Sequence, residues 1–342
     1  MATKSGFRRI PTRRDVLRIL AVGGAAGIAW KMGLLGRSSA SRPVERSRIL
    51  MGTGVHLNVL GDDLEAAEAA ADATLERMAD LETLLSRHRD DSELTRLNRT
   101  GRLETASDAL IEVLRTAERV SRLGDGAFDV TVQPVLDLYR GIAGPPSTLP
   151  GAERIERTLD LVDHRDVRID GSTVALGRTG MRVTLDGVAK GFVIDSGVGA
   201  LKERGFNDIF VEAGGDLVAG GTKQAGVPWR VGIRGPRPGV ALQARFEASN
   251  RAVATSGDYM QPFTTDYAQH HILDPRTGRS APDLASSTVS APNAMMADAL
   301  ATLTMVLGPR RGRDLIEALP DCEAYFVSKN LDVTRTSGFE VV

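Results

Sequence analysis

The sequence predicts an α+β fold, and three observations carry that reading. From residue 167 onward, short apolar runs bounded by turn residues follow one another closely, at 167–169, 174–176, 182–185, 208–211, 229–233 and 241–246. Only two helical stretches interrupt them, one after Gly187 and one over residues 293–307, too few for a doubly wound sheet in which helices alternate with strands. Of the 342 residues 42% are hydrophobic and 25% charged, enough for a sizeable core in one large domain or two closely packed lobes.

The elements follow in order. Thr12-Arg13-Arg14-Asp15-Val16-Leu17-Arg18 precedes an apolar, Gly/Ala-rich run over residues 19–30, the basic-then-apolar layout of an export signal. The paired arginines point to the twin-arginine route. About twelve apolar residues are short against ~30 Å of hydrocarbon, which disfavours a membrane-spanning helix. Residues 1–40 are therefore read as a twin-arginine signal and linker. The expected location is the periplasm or the extracytoplasmic face of the inner membrane, with a tether through an uncleaved signal left open. Residues 51–60 alternate Val55, Leu57 and Val59 as a strand does. A long helix is expected from Asp63 to about His88, because Leu64, Ala67, Ala71, Leu75, Met78, Leu81 and Leu85 recur on one face. A second helix starts at a Ser107 or Asp108 cap and ends at Gly124. Residues 141–150, with Gly144-Pro145-Pro146, read as an exposed connection ahead of the strands.

Charge and cysteine content exclude some functions. A formal net charge of −1 leaves no basic excess for nucleic acid, so no nucleic-acid partner is expected. Cys322 is the only cysteine, which rules out an intrachain disulfide and a multi-thiolate zinc site.

Four segments hold residue types suited to chemistry. Gly124-Asp125-Gly126-Ala127-Phe128-Asp129 ends a turn in an aromatic and a carboxylate, and reads equally as a helix C-cap before a strand. Thr184-Leu185-Asp186-Gly187-Val188-Ala189-Lys190-Gly191-Phe192 runs a strand through glycine into a helix. The helix start leaves N–H groups free for an anion, with Lys190 adding charge, although the P-loop pattern is absent. Ala254-Thr255-Ser256-Gly257-Asp258-Tyr259 suits close approach to a ligand or a plain hairpin turn. Beyond it, a strand through His271-Ile272-Leu273-Asp274-Pro275 would point His271 and Leu273 to one face and Ile272 and Asp274 to the other. Finally, Asp298 and Thr302 lie at i and i+4 of the 293–307 helix. A carboxylate and a hydroxyl one turn apart suit a hard cation such as Mg²⁺, unless Thr302 simply bonds back to the Asp298 carbonyl.

Taken in sequence, Met51-Gly52-Thr53, Ser92-Glu93-Leu94 with Leu97-Asn98, Gly126-Ala127-Phe128-Asp129, Gly187-Val188-Ala189-Lys190-Gly191, Ala213-Gly214-Gly215-Asp216, Thr255-Ser256-Gly257-Asp258-Tyr259, His271-Ile272-Leu273-Asp274-Pro275-Arg276-Thr277-Gly278 and Ala297-Asp298-Ala299-Leu300-Ala301-Thr302 resemble the ApbE family of FAD:protein FMN transferases. The resemblance covers residues 48–330. It implies a T-fold-related α+β architecture, with antiparallel sheets and packed helices in two closely associated lobes. It implies a Mg²⁺-dependent transfer of the FMN half of FAD to a Thr or Ser hydroxyl of an acceptor flavoprotein, with AMP leaving. The acceptor would be a subunit of a membrane respiratory or redox complex. By the same resemblance Met51, His88, Ala127, Phe128, Asp129, Thr184, Lys190, Thr255, Ser256, Ile272 and Leu273 would hold FAD. Asp298, Thr302 and a backbone carbonyl near Gly187 would hold the metal, and His271 with Lys190 would carry the chemistry. The chain departs from the family in having His88 where many members have an aromatic residue, and Thr184-Leu185-Asp186-Gly187 where many read Asp-Leu-Gly-Gly. Two other readings use the same residues: hydrolysis of FAD to FMN and AMP, and a non-catalytic flavin carrier or maturation factor.

Overall fold

The structure, a computed structural model, describes residues 43–140, 149–223 and 226–342. The export signal read over residues 1–40 and most of the 141–150 connection lie outside them. In chain order, β1 (Pro43–Leu50) and β2 (Thr53–Leu60) form a hairpin, followed by α1 (Leu64–Leu85), α2 (Glu93–Thr100), β3 (Arg102–Leu103) and α3 (Asp108–Leu123). A 3₁₀ turn (Val130–Val132) leads into α4 (Gln133–Tyr139), then α5 (Ala152–Leu159), β4 (Val167–Asp170), β5 (Thr173–Leu176) and α6 (Ala189–Glu203). Next come β6 (Ile209–Ala213), β7 (Asp216–Gly220), β8 (Trp229–Ile233), β9 (Ala244–Ala248) and β10 (Arg251–Gly257). The chain closes with β11 (Leu273–Asp274), β12 (Arg279–Ser280), β13 (Leu284–Ala291), α7 (Ala294–Glu317), β14 (Glu323–Ser328) and β15 (Val333–Arg335).

Eight strands build the main sheet in the order β1-β2-β6-β7-β10-β13-β14-β15, antiparallel throughout. Position in the sheet explains composition. β13 reads Leu-Ala-Ser-Ser-Thr-Val-Ser-Ala and is buried along its whole length, because small side chains let α7 lie across it and β10. On that face α1 packs along α6 and α6 along α7, closing a core that includes Met78, Leu81, Ile194, Leu201 and Leu300. Each large side chain sealed there contributes roughly 2 kcal/mol. The β8–β9 hairpin supplies a second cluster around Trp229, Val231, Phe246, Val253, Tyr325 and Phe339. A small sheet of order β3-β5-β4 and a satellite cluster of Val132, Val135, Tyr139, Ile155 and Leu273 complete the packing.

The helix expectations hold at their caps. Asp63 Oδ1 accepts the Ala66 N–H at 3.0 Å and starts α1, which ends at Leu85 rather than running on to His88. Ser107 Oγ accepts the Leu110 N–H at 3.2 Å and starts α3. Asn293 caps α7, whose first segment stops at Gly308 (φ 75°, ψ 177°) before Pro309 starts another. Two strand expectations are corrected. Residues 182–185 join no ladder, because the Asn98 side chain takes the partner's place: its Nδ2 donates to Val183 O at 2.8 Å and its Oδ1 accepts the Val183 N–H at 2.6 Å. The strand expected to run through His271 shrinks to Leu273–Asp274, since residues 270–272 bond to both neighbouring segments in other ways.

Candidate active site

The motifs converge at one end of the main sheet. The β1–β2 turn carries Met51 at φ 52°, and Thr53 Oγ1 sits 2.7 Å from where a Cβ on Gly214 would stand. Gly214 and Gly215 (φ 60° and 100°) make the β6–β7 turn and deliver Asp216, which is 1% exposed. Asp216 Oδ1 accepts the Thr255 N–H at 3.1 Å from the end of β10, and Lys190 Nζ at the start of α6 lies 2.7 Å from Asp216 Oδ2. Burial alone would lower the Lys190 pKa, but the Asp216 and Asp298 charges outweigh it and hold the ammonium above its ordinary value.

Asp298 lies one turn inside α7, buried, and its Oδ2 accepts the Gly191 N–H at 3.1 Å. Gly191 allows this approach: a Cβ there would stand 2.2 Å from the Ala294 carbonyl oxygen. Burial, reinforced by Asp216 and opposed by Lys190, pushes the Asp298 carboxyl up to about 8. Thr302, one turn on, does not bond back to the Asp298 carbonyl; its Oγ1 sits 3.1 Å from Ser256 Oγ. Gly187 closes the group, since a Cβ there would meet Thr302 Oγ1 at 2.9 Å and Phe128 at 3.3 Å. No cluster of three or more His, Cys, Asp or Glu side chains suited to a metal occurs among the described residues. The donor set is instead one buried carboxylate, Asp298, with the hydroxyls of Thr302 and Ser256. That set fits Mg²⁺, which takes few protein carboxylates and completes its shell with water and phosphate oxygens.

His271 stands in the loop before β11. Its N–H donates to Gln261 O at 3.2 Å, while its Nδ1 is sealed from solvent without a hydrogen-bond partner. Burial pushes its pKa down to about 4; Asp186 and Asp258 act against that and Arg87 acts with it. Asp186 in turn pairs with Arg87 Nε at 2.8 Å. Two carboxylates on either side of His271 in the chain, Asp258 and Asp274, are committed elsewhere. Asp258 receives both guanidinium arms of Arg237 at 2.7 and 2.8 Å, with Arg237 stacked 4.4 Å over the Tyr267 ring. Asp274 receives Arg276 at 2.8 Å from both oxygens and also accepts the Arg276 N–H.

The remaining expected residues divide. Ala127 and Phe128 are buried, and Phe128 walls the Gly187 side. The Asp129 carboxylate is used structurally: it accepts from the Thr131 N–H at 2.8 Å and hydroxyl at 2.6 Å, and from the His164 N–H at 2.8 Å. Thr184 is buried and its Oγ1 accepts the Asp186 N–H at 3.3 Å. Thr255 Oγ1 pairs with Thr288 Oγ1 at 2.9 Å. Ile272 enters the main core and Leu273 the satellite cluster. His88 is exposed just past the end of α1. Sequence reasoning passed over Asp216, Arg87, Asp186 and Arg237. Asp216 stood in a quoted motif, but nothing local to it announces an ion pair with Lys190.

The sequence model of the ApbE family matches residues 51–326. The chain is 32% identical over 295 residues to a FAD:protein FMN transferase of Vibrio cholerae, covering 83% of this chain and 87% of the relative. A FAD:protein FMN transferase of Haemophilus influenzae is 30% identical over 312 residues, 86% of this chain and 90% of the relative. Among solved structures, flavin transferase ApbE from Vibrio cholerae superposes with a TM-score of 0.75 at 29% identity over 87% of this chain and 98% of that one. The ApbE protein of Thermotoga maritima gives 0.77 at 30% identity over 86% and 97%.

Proposed function

The chain belongs to the ApbE family, and from that premise we propose that it transfers the FMN half of FAD to a Thr or Ser hydroxyl of an acceptor protein and releases AMP. The observation that carries this reading is the meeting of Lys190, Asp216, Asp298, Thr302, Ser256 and Gly187 in one constellation around two buried carboxylates. It offers fixed cationic and hard-oxygen groups of the kind a pyrophosphate needs. The part we assign to this activity is residues 48–330, within a fold that also takes in the start of β1 and β15. With the export signal read over residues 1–40, the acceptor is a flavoprotein subunit of a membrane respiratory or redox complex reached from the periplasmic side.

In the transfer, the acceptor oxygen attacks the FMN-side phosphorus, the bond from that phosphorus to the AMP oxygen breaks, and the acceptor proton moves to the His271 imidazole. Asp186, Asp258 and Asp274 are each held in an arginine pair, which supports His271 as the base. Its lowered pKa keeps the imidazole neutral and able to accept at neutral pH. Approach of an anionic pyrophosphate would raise that pKa toward the working range. Asp298, Thr302 and the Gly187 carbonyl are the groups we assign to Mg²⁺, with Ser256 beside them. When bound, Mg²⁺ supplies neutralisation of charge on the phosphates and on the leaving AMP. Lys190, held charged by Asp216, adds a fixed positive charge to the same region.

The test is incubation of the full chain with FAD, Mg²⁺ and a candidate acceptor, followed by in-gel flavin fluorescence and nucleotide analysis. A fluorescent acceptor band with AMP release that vanishes in His271→Ala supports the transferase. Free FMN and AMP without a labelled acceptor points to FAD hydrolysis, and unchanged bound FAD to a carrier; either result overturns the proposal.

A further inference from the structure

Adjacent histidines 270 and 271 sit in opposite circumstances. His270 is fully buried and both its ring nitrogens are engaged. Nε2 lies 2.9 Å from the Ala281 carbonyl oxygen, and Nδ1 accepts the Ile272 N–H at 3.3 Å. A carbonyl only accepts and an amide N–H only donates, so Nε2 carries the hydrogen and Nδ1 is bare. A proton added at Nδ1 would be driven against the Ile272 N–H. Burial agrees with that neutral form, pushing the ring down to about 3 with Lys329, His271 and Arg237 adding to the effect.

Around this ring the backbone is tied on both sides. The His270 N–H donates to Ser280 Oγ at 2.9 Å, and the same hydroxyl donates back to His270 O at 2.8 Å. The Ala281 N–H donates to Ile272 O at 3.1 Å. On the other side His271 N–H reaches Gln261 O, and Phe263 N–H reaches Gln269 O at 2.7 Å. Tyr139 stacks on Phe263 at 5.0 Å and its hydroxyl donates to Gly278 O at 2.8 Å, anchoring the far end of the β11–β12 hairpin. The His271 ring has no partner at Nδ1, so its aim depends on where this frame holds its Cα.

We propose that His270 is a positioning residue for the flavin transfer: a permanently neutral imidazole that joins the chain on either side of His271 to Ala281 and so sets the direction of the reacting ring. This rests on the transferase reading above. An aliphatic side chain at 270 would leave the Ala281 carbonyl and the Ile272 amide buried and unpaired, and the loop would shift to pair them. Glutamine would restore the donor to Ala281.

The experiment compares the full-length unmutated chain, His270→Leu and His270→Gln for FAD affinity, transfer to a protein acceptor and melting temperature. The ¹⁵N spectrum of the histidines is recorded alongside. A misaimed reacting group costs on the order of 100-fold, so His270→Leu is expected to lose about that much in kcat at unchanged FAD affinity, with His270→Gln recovering most of it. In the unmutated chain the His270 ring should show the Nε2–H tautomer without titrating between about pH 5 and 8. Full kcat in His270→Leu, a loss equal in both variants that tracks melting temperature, or a His270 ring that titrates would each overturn the proposal. If the unmutated chain labels no acceptor, the transferase reading fails instead, and the tautomer alone then decides whether the frame exists.

Discussion

Asp298→Asn separates what the buried carboxylate does for stability from what it does for chemistry. In the metal-free protein the Asp298 carboxyl ionises near 8, because burial and the neighbouring Asp216 disfavour its charge, whereas in the unfolded chain it ionises near 3.8. The native state therefore binds more protons than the unfolded state between those values, and stability falls as pH rises through that window. At neutral pH the difference amounts to roughly 4 kcal/mol. The Lys190 and Asp216 charges share it, so about 2–4 kcal/mol is the expected gain when Asn removes the ionisation. Asn is isosteric and its Oδ1 still accepts the Gly191 N–H. Calorimetry in a chelator should show Asp298→Asn melting several degrees above the unmutated chain at neutral pH and level with it near pH 4. With Mg²⁺ added, the unmutated chain should gain stability by mass action while the variant does not, and the variant should be inactive. A variant that melts lower without metal would refute the buried-charge argument, and one that still gains stability from Mg²⁺ would refute the assignment of Asp298 to the metal.

Two further outcomes test neighbouring groups. Asp216→Asn leaves the half-buried Lys190 ammonium without its 2.7 Å partner, a loss of about 1–3 kcal/mol where the cation keeps some water; chemical denaturation should show a destabilisation opposite in sign to that of Asp298→Asn. Gly187→Ala places a methyl 2.9 Å from Thr302 Oγ1, which a β-branched helical side chain cannot rotate away from freely. It should weaken Mg²⁺ binding in titration calorimetry with little change in FAD affinity, and equal Mg²⁺ affinity would show that Thr302 takes no part.

What could be read in advance follows the range of the forces involved. The apolar stripe of α1, the Ser107 cap and the helix expected over residues 293–307 depend on contacts within one or two turns, and they stand where local pattern puts them. The extended run at 182–185 misled because its partner is a side chain, Asn98, which no periodicity marks. The hold of Asp129 on the loop at His164 went unread for the same reason, since its partner lies 35 residues along the chain.

By itself the sequence determined the α+β class, the helices and turns, and the order of motifs by which the chain is placed in its family, since these depend on neighbours along the chain. Tertiary structure alone decided the charges. It pairs Lys190 with Asp216 and Asp258 with Arg237, and makes one of two adjacent histidines a sealed brace while leaving the other's Nδ1 without a partner. The physical reason is that the protonation and pairing of a side chain depend on how far packing removes it from water and on which distant segment packing brings beside it.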